Sequence, residues 1–267
     1  MRISYASRGG YVLDCRLFTS APEVKMFPRP AFFASIVFVA SLPAAAAELN
    51  QIGGLTQDEF HKFTQDLGSS LSYKPLSPAE PLGLFGFDVG IAATVTKVQN
   101  SDIFKKAGAD VSDAVVPSAR FNLGLPFGID VGAMAGAAPS TSVRLYGGEV
   151  KWAFIKGSTV MPAIAVRGSY TKLAGVDQLD FNTKGVDLSI SKGFALFTPY
   201  GGVGKVKVES TPKDIPLSFP TPPSKESLTQ NKYFVGVNMN FVFVNVVLEA
   251  DKTGDDTTYG AKLGFRF

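Results

Sequence analysis

Residues 85–96 read FGFDVGIAATVT, and this stretch decides the fold because an apolar residue occupies every second position. The positions between them hold only glycine, alanine, aspartate and threonine. Successive side chains of a β-strand point to opposite faces. The stretch therefore predicts a strand with one apolar and one polar face. The apolar face consists of Phe85, Phe87, Val89, Ile91, Ala93 and Val95.

The same period of two returns at the end of the chain, where residues 258–267 read TYGAKLGFRF. The pattern between these segments predicts eight more strands, which gives about ten in all, within a range of roughly 8–12. The alternation slips near Gly147, Gly148 and Gly185, and these slips predict β-bulges. The intervening strands are expected near residues 117–125, 128–136, 142–155, 159–172, 178–192, 195–208, 232–242 and 244–251.

Short and long connections alternate between the predicted strands. The connections after odd-numbered strands are mostly longer, and they include residues 99–116 and 209–231, the second of which carries five prolines. An antiparallel barrel that spans a membrane shows this alternation, with short periplasmic turns and long external loops. The connections after even-numbered strands are tight, at residues 126–127, 156–158, 193–194 and the region of Phe243.

The later part of the chain has no segment suited to a membrane-spanning helix. Its longest apolar stretch, residues 235–250, is interrupted by three asparagines and Glu249. In lipid, only helices and closed sheets satisfy every backbone polar group, so a membrane-embedded form of this chain must be a barrel. A soluble β-sandwich or lipocalin-like barrel shows the same alternation and is the alternative. Aromatic residues near the predicted strand ends favour the membrane-embedded form.

The amino-terminal part carries the features of an export signal. Residues 27–47 read FPRPAFFASIVFVASLPAAAA, with Arg29 ahead of an apolar core and small residues at its end. This pattern predicts a signal peptide over residues 26–47, with translation beginning at Met26 and residues 1–25 being a misassigned extension. Cleavage after Ala47 would leave a mature chain that begins at Glu48 and lacks Cys15.

The last residues of the chain carry a resemblance to a known family. Tyr259, Leu263, Phe265 and Phe267 resemble the terminal aromatic signature of Gram-negative outer-membrane β-barrel proteins, of the small porin-like kind. The resemblance implies an all-β, antiparallel up-and-down transmembrane barrel over residues 83–267. It also implies a location in the cell outer membrane, contact with outer-membrane lipid, and recognition of these four residues by the barrel-assembly machinery.

A short helix is predicted ahead of the barrel, within residues 48–82. Thr56 and Glu59 have the spacing of a capping box. Phe60, Phe63, Leu67 and Leu71 share one helical face, and Gly68 is the expected end. Residues 74–82 hold three prolines and read as an extended linker. Because one short helix is marginal alone, we expect it to dock at the periplasmic mouth, to plug the lumen, or to bind a periplasmic partner.

The composition of the chain disfavours several classes of function. The single histidine, His61, and the single cysteine leave no set of residues for a Cys/His zinc site. We expect no catalytic residue, no cofactor and no metal. The first 47 residues hold five of the 26 basic and two of the 23 acidic residues, so the remainder carries 21 of each. This balance gives no electrostatic footprint for nucleic acid.

Charged residues on the polar face of the predicted strands are candidate lumen-lining groups. They could fill and rigidify a closed cylinder, or they could line a narrow pore for the passive passage of small solutes or ions. Barrels of about eight strands are filled by side chains, and those of about sixteen or more leave a channel. A porin-like channel is the first hypothesis, a closed structural or surface-interaction barrel the second, and an outer-membrane enzyme the third. The candidates are Asp88, Asp130, Glu149, Asp180, Asp187, Glu249, Arg120, Arg144, Lys151, Arg167, Lys184, Lys205, Lys207, Lys262 and Arg266.

Overall fold

The computed structural model describes residues 49–109, 111–137, 142–216, 219 and 221–267. The expectations for the extension at 1–25, the signal peptide at 26–47 and cleavage before Glu48 lie outside the described residues.

Ten strands form one closed antiparallel barrel. Each strand pairs with its neighbour along the chain, and the first strand closes the barrel by pairing with the last. The predicted all-β, ten-stranded up-and-down architecture is confirmed. The strands are β1 Phe87–Lys97, β2 Asp113–Leu125, β3 Ile129–Ala137, β4 Arg144–Lys156, β5 Ala163–Ala174, β6 Leu179–Ser191, β7 Phe197–Pro212, β8 Glu226–Phe241, β9 Val244–Thr253 and β10 Asp256–Arg266.

The expected bulges are absent. The pairing of β4 is continuous through Gly147 and Gly148, that of β6 is continuous through Gly185, and the one irregularity of β4 lies between Trp152 and Ile155. The glycines have another cause. A Cβ on Gly147 would lie 2.8 Å from Cγ of Met134, and one on Gly185 would lie 2.6 Å from Oγ of Ser169. These positions make room for neighbouring side chains inside the barrel instead of inserting an extra residue.

The two ends of the barrel differ. One end, here called the turn end, carries the connections at residues 126–128, 157–162, 192–196 and 242–243, together with the start of β1 and the end of β10. The opposite end, the loop end, is where β1 leads to β2, β3 to β4, β5 to β6, β7 to β8 and β9 to β10. The last long loop before β8 is shorter than expected, because β7 and β8 extend past the apolar part of their sequence and remain paired.

The wall has its apolar side outside and its polar side inside. Ile91 is 68% exposed and Val235 is 65% exposed, whereas Asp88 and Lys262 are 2% exposed on the inward face. In residues 87–96 and 258–266, the side chains predicted to be apolar and polar lie on the outer and inner sides of the wall, respectively. Soluble proteins rarely expose so extensive an apolar surface, and this distribution is that of a transmembrane barrel with a polar interior. None of the helices in the described part of the chain has the length and apolarity needed to cross a membrane.

Two helices accompany the barrel: α1 Gln57–Leu71 and α2 Ser101–Lys106, the latter in the loop between β1 and β2. The predicted capping box begins α1, since the Glu59 amide donates to Thr56 Oγ1 at 3.3 Å and the Thr56 amide donates to Glu59 Oε2 at 2.9 Å. The helix does not end at Gly68. It continues to Leu71, because Gly68 serves close packing: a Cβ there would lie 2.5 Å from Cγ2 of Val208.

Helix α1 lies at the loop end and not at the turn end, where a periplasmic helix was expected. It contacts α2 and the inner side of β1, β7, β8, β9 and β10. The reason is its apolar face. Phe60, Phe63 and Leu67 pack against Phe104 of α2 and against inward-facing Phe181, Val206 and Val208 of the wall. Of the three expected sites for the helix, the structure places it as a plug.

Candidate functional site: the filled lumen

The amino-terminal segment runs through the barrel from one end to the other. Near the loop end, Thr171 of β5 donates a hydrogen bond to the carbonyl of Leu71 at 3.0 Å. Near the turn end, the amide of Leu82 donates to Asp130 of β3 at 3.1 Å. Residues 72–82, here called the linker, therefore span the lumen, and residues 49–82 as a whole are here called the plug. The linker side chains Tyr73, Leu76 and Ala79 are fully buried.

Cations of the wall bind the carbonyl groups of the linker. Lys232 donates to the carbonyl of Tyr73 at 2.7 Å, and Arg120 donates to that of Lys74 at 2.7 Å. Lys151 donates to the carbonyls of Pro78 and Glu80 at 2.9 and 3.0 Å. The three prolines of the linker have no N–H group, so the segment offers more acceptors than donors. A wall with inward lysine and arginine matches that excess.

Carboxylate and hydroxyl oxygens of the wall accept hydrogen bonds from three N–H groups of the linker. Glu249 of β9 accepts from the Leu76 amide at 2.9 Å and from the Tyr200 hydroxyl at 2.7 Å. Asp130 accepts from the Leu82 amide, as described above, and Ser191 accepts from the Glu80 amide at 3.0 Å. The linker backbone is thus paired with side chains of the wall at several levels of the lumen, as buried backbone groups require.

One ion pair joins the plug directly to the wall. Lys74 Nζ lies 2.6 Å from Asp251 Oδ1 of β9, and both side chains are buried. Lys74 also donates to the carbonyl of Ser69 at 2.7 Å, and Thr253 donates to Asp251 at 2.8 Å. Buried charges of this kind are stable only when paired and hydrogen-bonded. The pair therefore fixes the register of the linker against the strand.

Further buried ion pairs connect strands across the inside of the wall. They lie beside the linker and place Asp88, Asp130, Glu149 and Asp187 next to inward cations. Asp88 additionally accepts from Asn245 at 3.1 Å. The pairs are Arg167–Glu149 at 2.6 Å, Lys262–Asp88 at 2.7 Å, Lys151–Asp130 at 2.9 Å, Lys232–Asp187 at 3.3 Å and Arg167–Asp187 at 4.0 Å.

Little free volume is left beside the linker toward the turn end. The cavity between Ser77, Leu82 and the inward side chains around Asp88 and Glu149 has a volume of about 10 Å³. One water molecule needs roughly that volume or more. This cavity therefore has room for about one water molecule at most.

The structure separates the candidate lumen residues into two groups. The first group is inside the wall: Asp88, Arg120, Asp130, Glu149, Lys151, Arg167, Asp187, Glu249 and Lys262 are buried, and Arg266 borders the small cavity. The second group faces outward, and its assignment to the lumen is wrong: Lys205, together with Asp180, Lys184, Lys207 and Arg144.

Lys205 faces outward because the apolar residues of its strand face inward there. Val206 and Val208 of β7 are buried against α1. Lys205 and Lys207, at the odd-numbered positions of the same stretch, therefore point away from the barrel. The rule that the polar face lines the lumen fails wherever the lumen contains an apolar helix. Lys205 and Lys207 therefore lie on the outer surface near the loop end.

Several lumen residues were not among the candidates. Lys74 was assigned to the linker and Tyr73 directly precedes it, and no local pattern shows that a linker passes through a barrel. Lys232 and Asp251 were placed at strand ends, although both have the inward parity of their strands. Both residues are the terminal residues of the predicted strands 232–242 and 244–251, so applying the period of two as far as these ends would have found them.

At the loop end the plug joins two loops of the barrel. The Gln51 amide donates to the carbonyl of Ala107 at 3.2 Å, and Lys106 lies 2.5 Å from Glu59. Lys106 holds the pKa of Glu59 below its ordinary value. On the other side, His61 Nδ1 lies 3.1 Å from Glu226 of β8. These contacts join the plug to the β1–β2 loop and the start of β8 in one ordered surface, here called the cap.

Asp66 has a distinctive environment within the cap. Burial raises its pKa to about 6, and the nearby carboxylate of Asp256 contributes in the same direction. The backbone and side-chain amides of Asn100 donate to Asp66 at 2.8 and 3.1 Å and oppose that rise. Asp66 thus anchors the β1–β2 loop to α1. In the described part of the chain, no cluster of three or more His, Cys, Asp or Glu side chains is arranged to hold a metal ion.

The four residues of the terminal signature lie together on the outer face at the last strand. Tyr259, Leu263, Phe265 and Phe267 are all about half exposed. The ring of Phe267 stacks on Phe87 at 5.1 Å and on Phe243 at 4.9 Å between centroids. This places an aromatic cluster at the turn end of the barrel seam, where β1 meets β10.

Neither a protein-family model nor a curated protein matches the chain. Among solved structures, the chain is similar to the N-terminal β-barrel domain of Pseudomonas aeruginosa OprF, at 13% identity over 69% of this chain and 99% of that one, with a TM-score of 0.36. Ail, the attachment invasion locus protein of Yersinia pestis, has 12% identity over 69% and 99%, and a TM-score of 0.31. A loop L8 deletion mutant of OmpT, an outer membrane protein of Vibrio cholerae, has 16% identity over 58% and 55%, and a TM-score of 0.32. The class of transmembrane β-barrel rests on the wall described above.

Proposed function

We propose that the protein is an integral outer-membrane β-barrel that is closed by its own amino-terminal segment and acts through the cap at its outer end. The observation that carries this proposal is the path of the linker, residues 72–82, whose backbone is bonded to cations and carboxylates of the wall along the lumen. A barrel filled in this way favours a structural or surface-interaction role over passive passage of solutes.

The outer membrane is the location that suits this barrel. The wall presents apolar side chains to lipid, and closed sheets of this kind leave no unpaired backbone group in the membrane. The expected signal peptide supports export. The aromatic cluster at Phe267 supports recognition by the barrel-assembly machinery. With the turn end on the periplasmic side, the cap lies at the cell surface.

The cap is the part of the molecule best suited to contact a partner outside the cell. The cap consists of the start of the plug, the β1–β2 loop with helix α2, and the β7–β8 loop with the start of β8. Contacts between these segments fix their positions. A Cβ on Gly53 would lie 2.6 Å from Ile215 of the β7–β8 loop, and Gln57 accepts from the Ser224 amide at 2.7 Å. Three segments from distant parts of the sequence thus form one surface that a partner could bind without first ordering loops.

The experiment that tests this proposal is cysteine labelling of intact cells with a membrane-impermeant maleimide. Gln51→Cys places a thiol in the plug at the loop end, and Val160→Cys places one in an exposed turn at the opposite end. We expect Gln51→Cys to be labelled in intact cells and Val160→Cys only after permeabilisation. Labelling of Val160→Cys but not of Gln51→Cys in intact cells would contradict the proposed orientation.

A gated narrow channel is the second candidate function. The observation that favours it is the lumen wall itself, which carries inward charges of both signs, such as Arg120, Lys151 and Glu249. Water could replace the linker carbonyls at the wall cations if the plug left the barrel. This candidate requires ion conductance that appears when the plug is displaced and is absent when it is seated.

A further inference from the structure

A groove on the outer face of the wall is unlike the rest of the lipid-facing surface. It has a volume of about 720 Å³ and extends from Ile164 of β5 to Thr257 of β10. Its cause is a run of short side chains: Gly201 of β7 and Ala250 of β9 lie in register on either side of Val235 of β8. Bulkier outward residues border them. The apolar lining includes Leu188, Ile190, Val203, Val235, Gly201 and Ala250.

Two exposed lysines stand at the loop-end side of this groove. Lys205 follows Val203 by two residues on the same face of β7, and Lys252 follows Ala250 by two residues on β9. Lys205 pairs in register with Asn231 of β8, and Lys252 pairs with Tyr233 of the same strand. With neighbouring strands about 4.8 Å apart, the two lysine-bearing strands are separated by roughly 10 Å. Lys252 lines the groove at the level of Tyr233, and Lys205 lies two residues farther toward the loop end, at the level of Asn231.

The charge around the groove remains positive. Glu209 lies 3.0 Å from Lys207 and 3.7 Å from Lys184, so it is engaged farther toward the loop end. Within the described residues, no carboxylate lies within 4.0 Å of Lys205 or Lys252. The nearest exposed carboxylate along the chain from Lys252 is that of Asp255, in the hairpin between β9 and β10.

We propose that this groove binds a phosphate-bearing lipid of the loop-side leaflet, with an acyl chain along Gly201 and Ala250 and the phosphate between Lys205 and Lys252. The inference rests on the proposed membrane location. An apolar recess with two cations at its headgroup end is complementary to an anionic lipid and not to a zwitterionic one. A single interfacial lysine commonly extends toward water without any such recess. Lys172 of β5, exposed and outside the groove, is a lysine of that ordinary kind.

The test is native mass spectrometry of the purified, folded protein in detergent, with bis-phosphorylated lipid A as the probe and phosphatidylcholine as the zwitterionic comparison. Retention of lipid A should exceed that of phosphatidylcholine. Lys205→Gln combined with Lys252→Gln should weaken lipid A binding by about 30-fold, because each lysine near an anionic headgroup contributes about fivefold. Ala250→Leu should weaken binding by filling the groove without changing charge, and Lys172→Gln should leave binding unchanged.

Several outcomes would overturn the proposal. The first is unchanged lipid A binding in the double lysine variant, and the second is an equal loss in Lys172→Gln, which would indicate unspecific attraction to the surface. Displacement of lipid A by millimolar inorganic phosphate alone would assign the lysines to free phosphate and not to lipid. Folding of each variant is checked by heat-modifiable gel mobility. A folded, surface-labelled barrel that retains no lipid A would remove this inference and leave the proposed function standing.

Discussion

Lys74 shows how single residues of the plug and the wall depend on one another. Its ammonium group is enclosed, and its neighbours are the carboxylate of Asp251 and the carbonyl of Ser69. Removing one partner of a buried pair is costly because the other charge stays in a poorly solvating place. The exposed pair of Lys62 with Asp58 in α1, at 2.7 Å, offers the contrasting case.

We therefore predict that Lys74→Met lowers the free energy of unfolding by about 3–5 kcal/mol. Lys62→Met, the matched control on the same segment, should leave the free energy of unfolding nearly unchanged, because an exposed ion pair contributes little. Urea unfolding of the protein in lipid vesicles measures both. Adding Asp251→Asn to Lys74→Met should recover part of the loss, since the orphaned charge is gone. Similar losses for the two single variants would contradict the enclosed position of Lys74.

The lipid-facing residues allow a second prediction. Ile91 lies near the middle of β1 on the outer face, and Val95 lies on the same face nearer the loop end. Ile91→Arg should cost about 2–4 kcal/mol of folding free energy, and Val95→Arg about 0–1 kcal/mol, because the cost of a cation falls toward the interface. Folding into vesicles of defined thickness measures the difference. Equal costs at both depths would contradict the membrane position of the barrel.

Gly90, on the inward face of β1, is not a suitable position for an arginine variant to compare with Ile91→Arg. It points inward, as the alternation predicts, but a Cβ there would lie 2.5 Å from the carbonyl oxygen of Leu263. Any side chain at this position would disturb the seam between β1 and β10, so arginine there would report on close backbone approach and not on lipid.

The stability of helix α1 is expected to vary with the protonation of Asp66, which is buried in that helix. Its folded-state pKa of about 6 lies above the ordinary value of 3.8, so the folded protein holds this proton more readily than the unfolded chain. Stability therefore falls as the pH rises through the window between these two values. At neutral pH the cost of burying the carboxylate is present in full.

Asp66→Asn should accordingly protect α1 at pH 7.5, and the gain should shrink at pH 5, where the wild-type carboxyl is mostly protonated. Amide hydrogen exchange of α1 at the two pH values measures the effect. Asp58→Asn, in an exposed position of the same helix, is the control and should show no such pH-dependent gain. A loss of protection at neutral pH in Asp66→Asn would show that the bonds with Asn100 outweigh burial.

The strands were predictable because their signal is local. An alternating face needs only neighbouring residues to be seen, and the ten expected segments correspond to β1–β10 with ends shifted by a few residues. The position of α1 was not predictable from its own pattern. Its apolar stripe fits any apolar surface, and the matching stripe of Val206 and Val208 is recognised only once β7 is known to curve around the helix.

The lumen residues also differ in whether a local sequence pattern could find them. Arg167 and Glu149 are found by parity, because inward polar positions of a barrel alternate strictly along their strands. Lys205 is misplaced by that reasoning, since an apolar plug reverses the polarity rule locally. The bonds between wall cations and linker carbonyls follow from the excess of acceptors in a proline-rich segment, but only when that segment is known to be inside the barrel.

Phe267 is the residue through which the proposed recognition by the barrel-assembly machinery can be tested. Deleting it removes a ring stacked on Phe87 and Phe243 but removes no inward group. We predict that the isolated protein loses little stability, while the amount of folded barrel in the outer membrane of cells falls sharply. Heat-modifiable, protease-protected protein in membrane fractions measures this. Wild-type amounts in the deletion strain would contradict the role of Phe267 as an assembly signal.

We infer that residues 72–82 close the barrel, because their backbone is bonded to side chains of the wall along the lumen. The lumen is closed not by collapse of the wall but by a separate segment whose backbone the wall binds. This arrangement separates two properties that open barrels combine, because the wall crosses the membrane while the plug holds the cap. A plug of this kind makes the passage of ions depend on one segment.

Single-channel recording in planar bilayers measures whether the amino-terminal segment closes the lumen. The intact mature chain is compared with a variant that lacks residues 48–82, after both are shown to fold by heat-modifiable mobility. The structure predicts no conductance steps from the intact chain and discrete steps from the folded variant, whose lumen would fill with water. Steps of the same size from both proteins would contradict a lumen closed by its own amino-terminal segment.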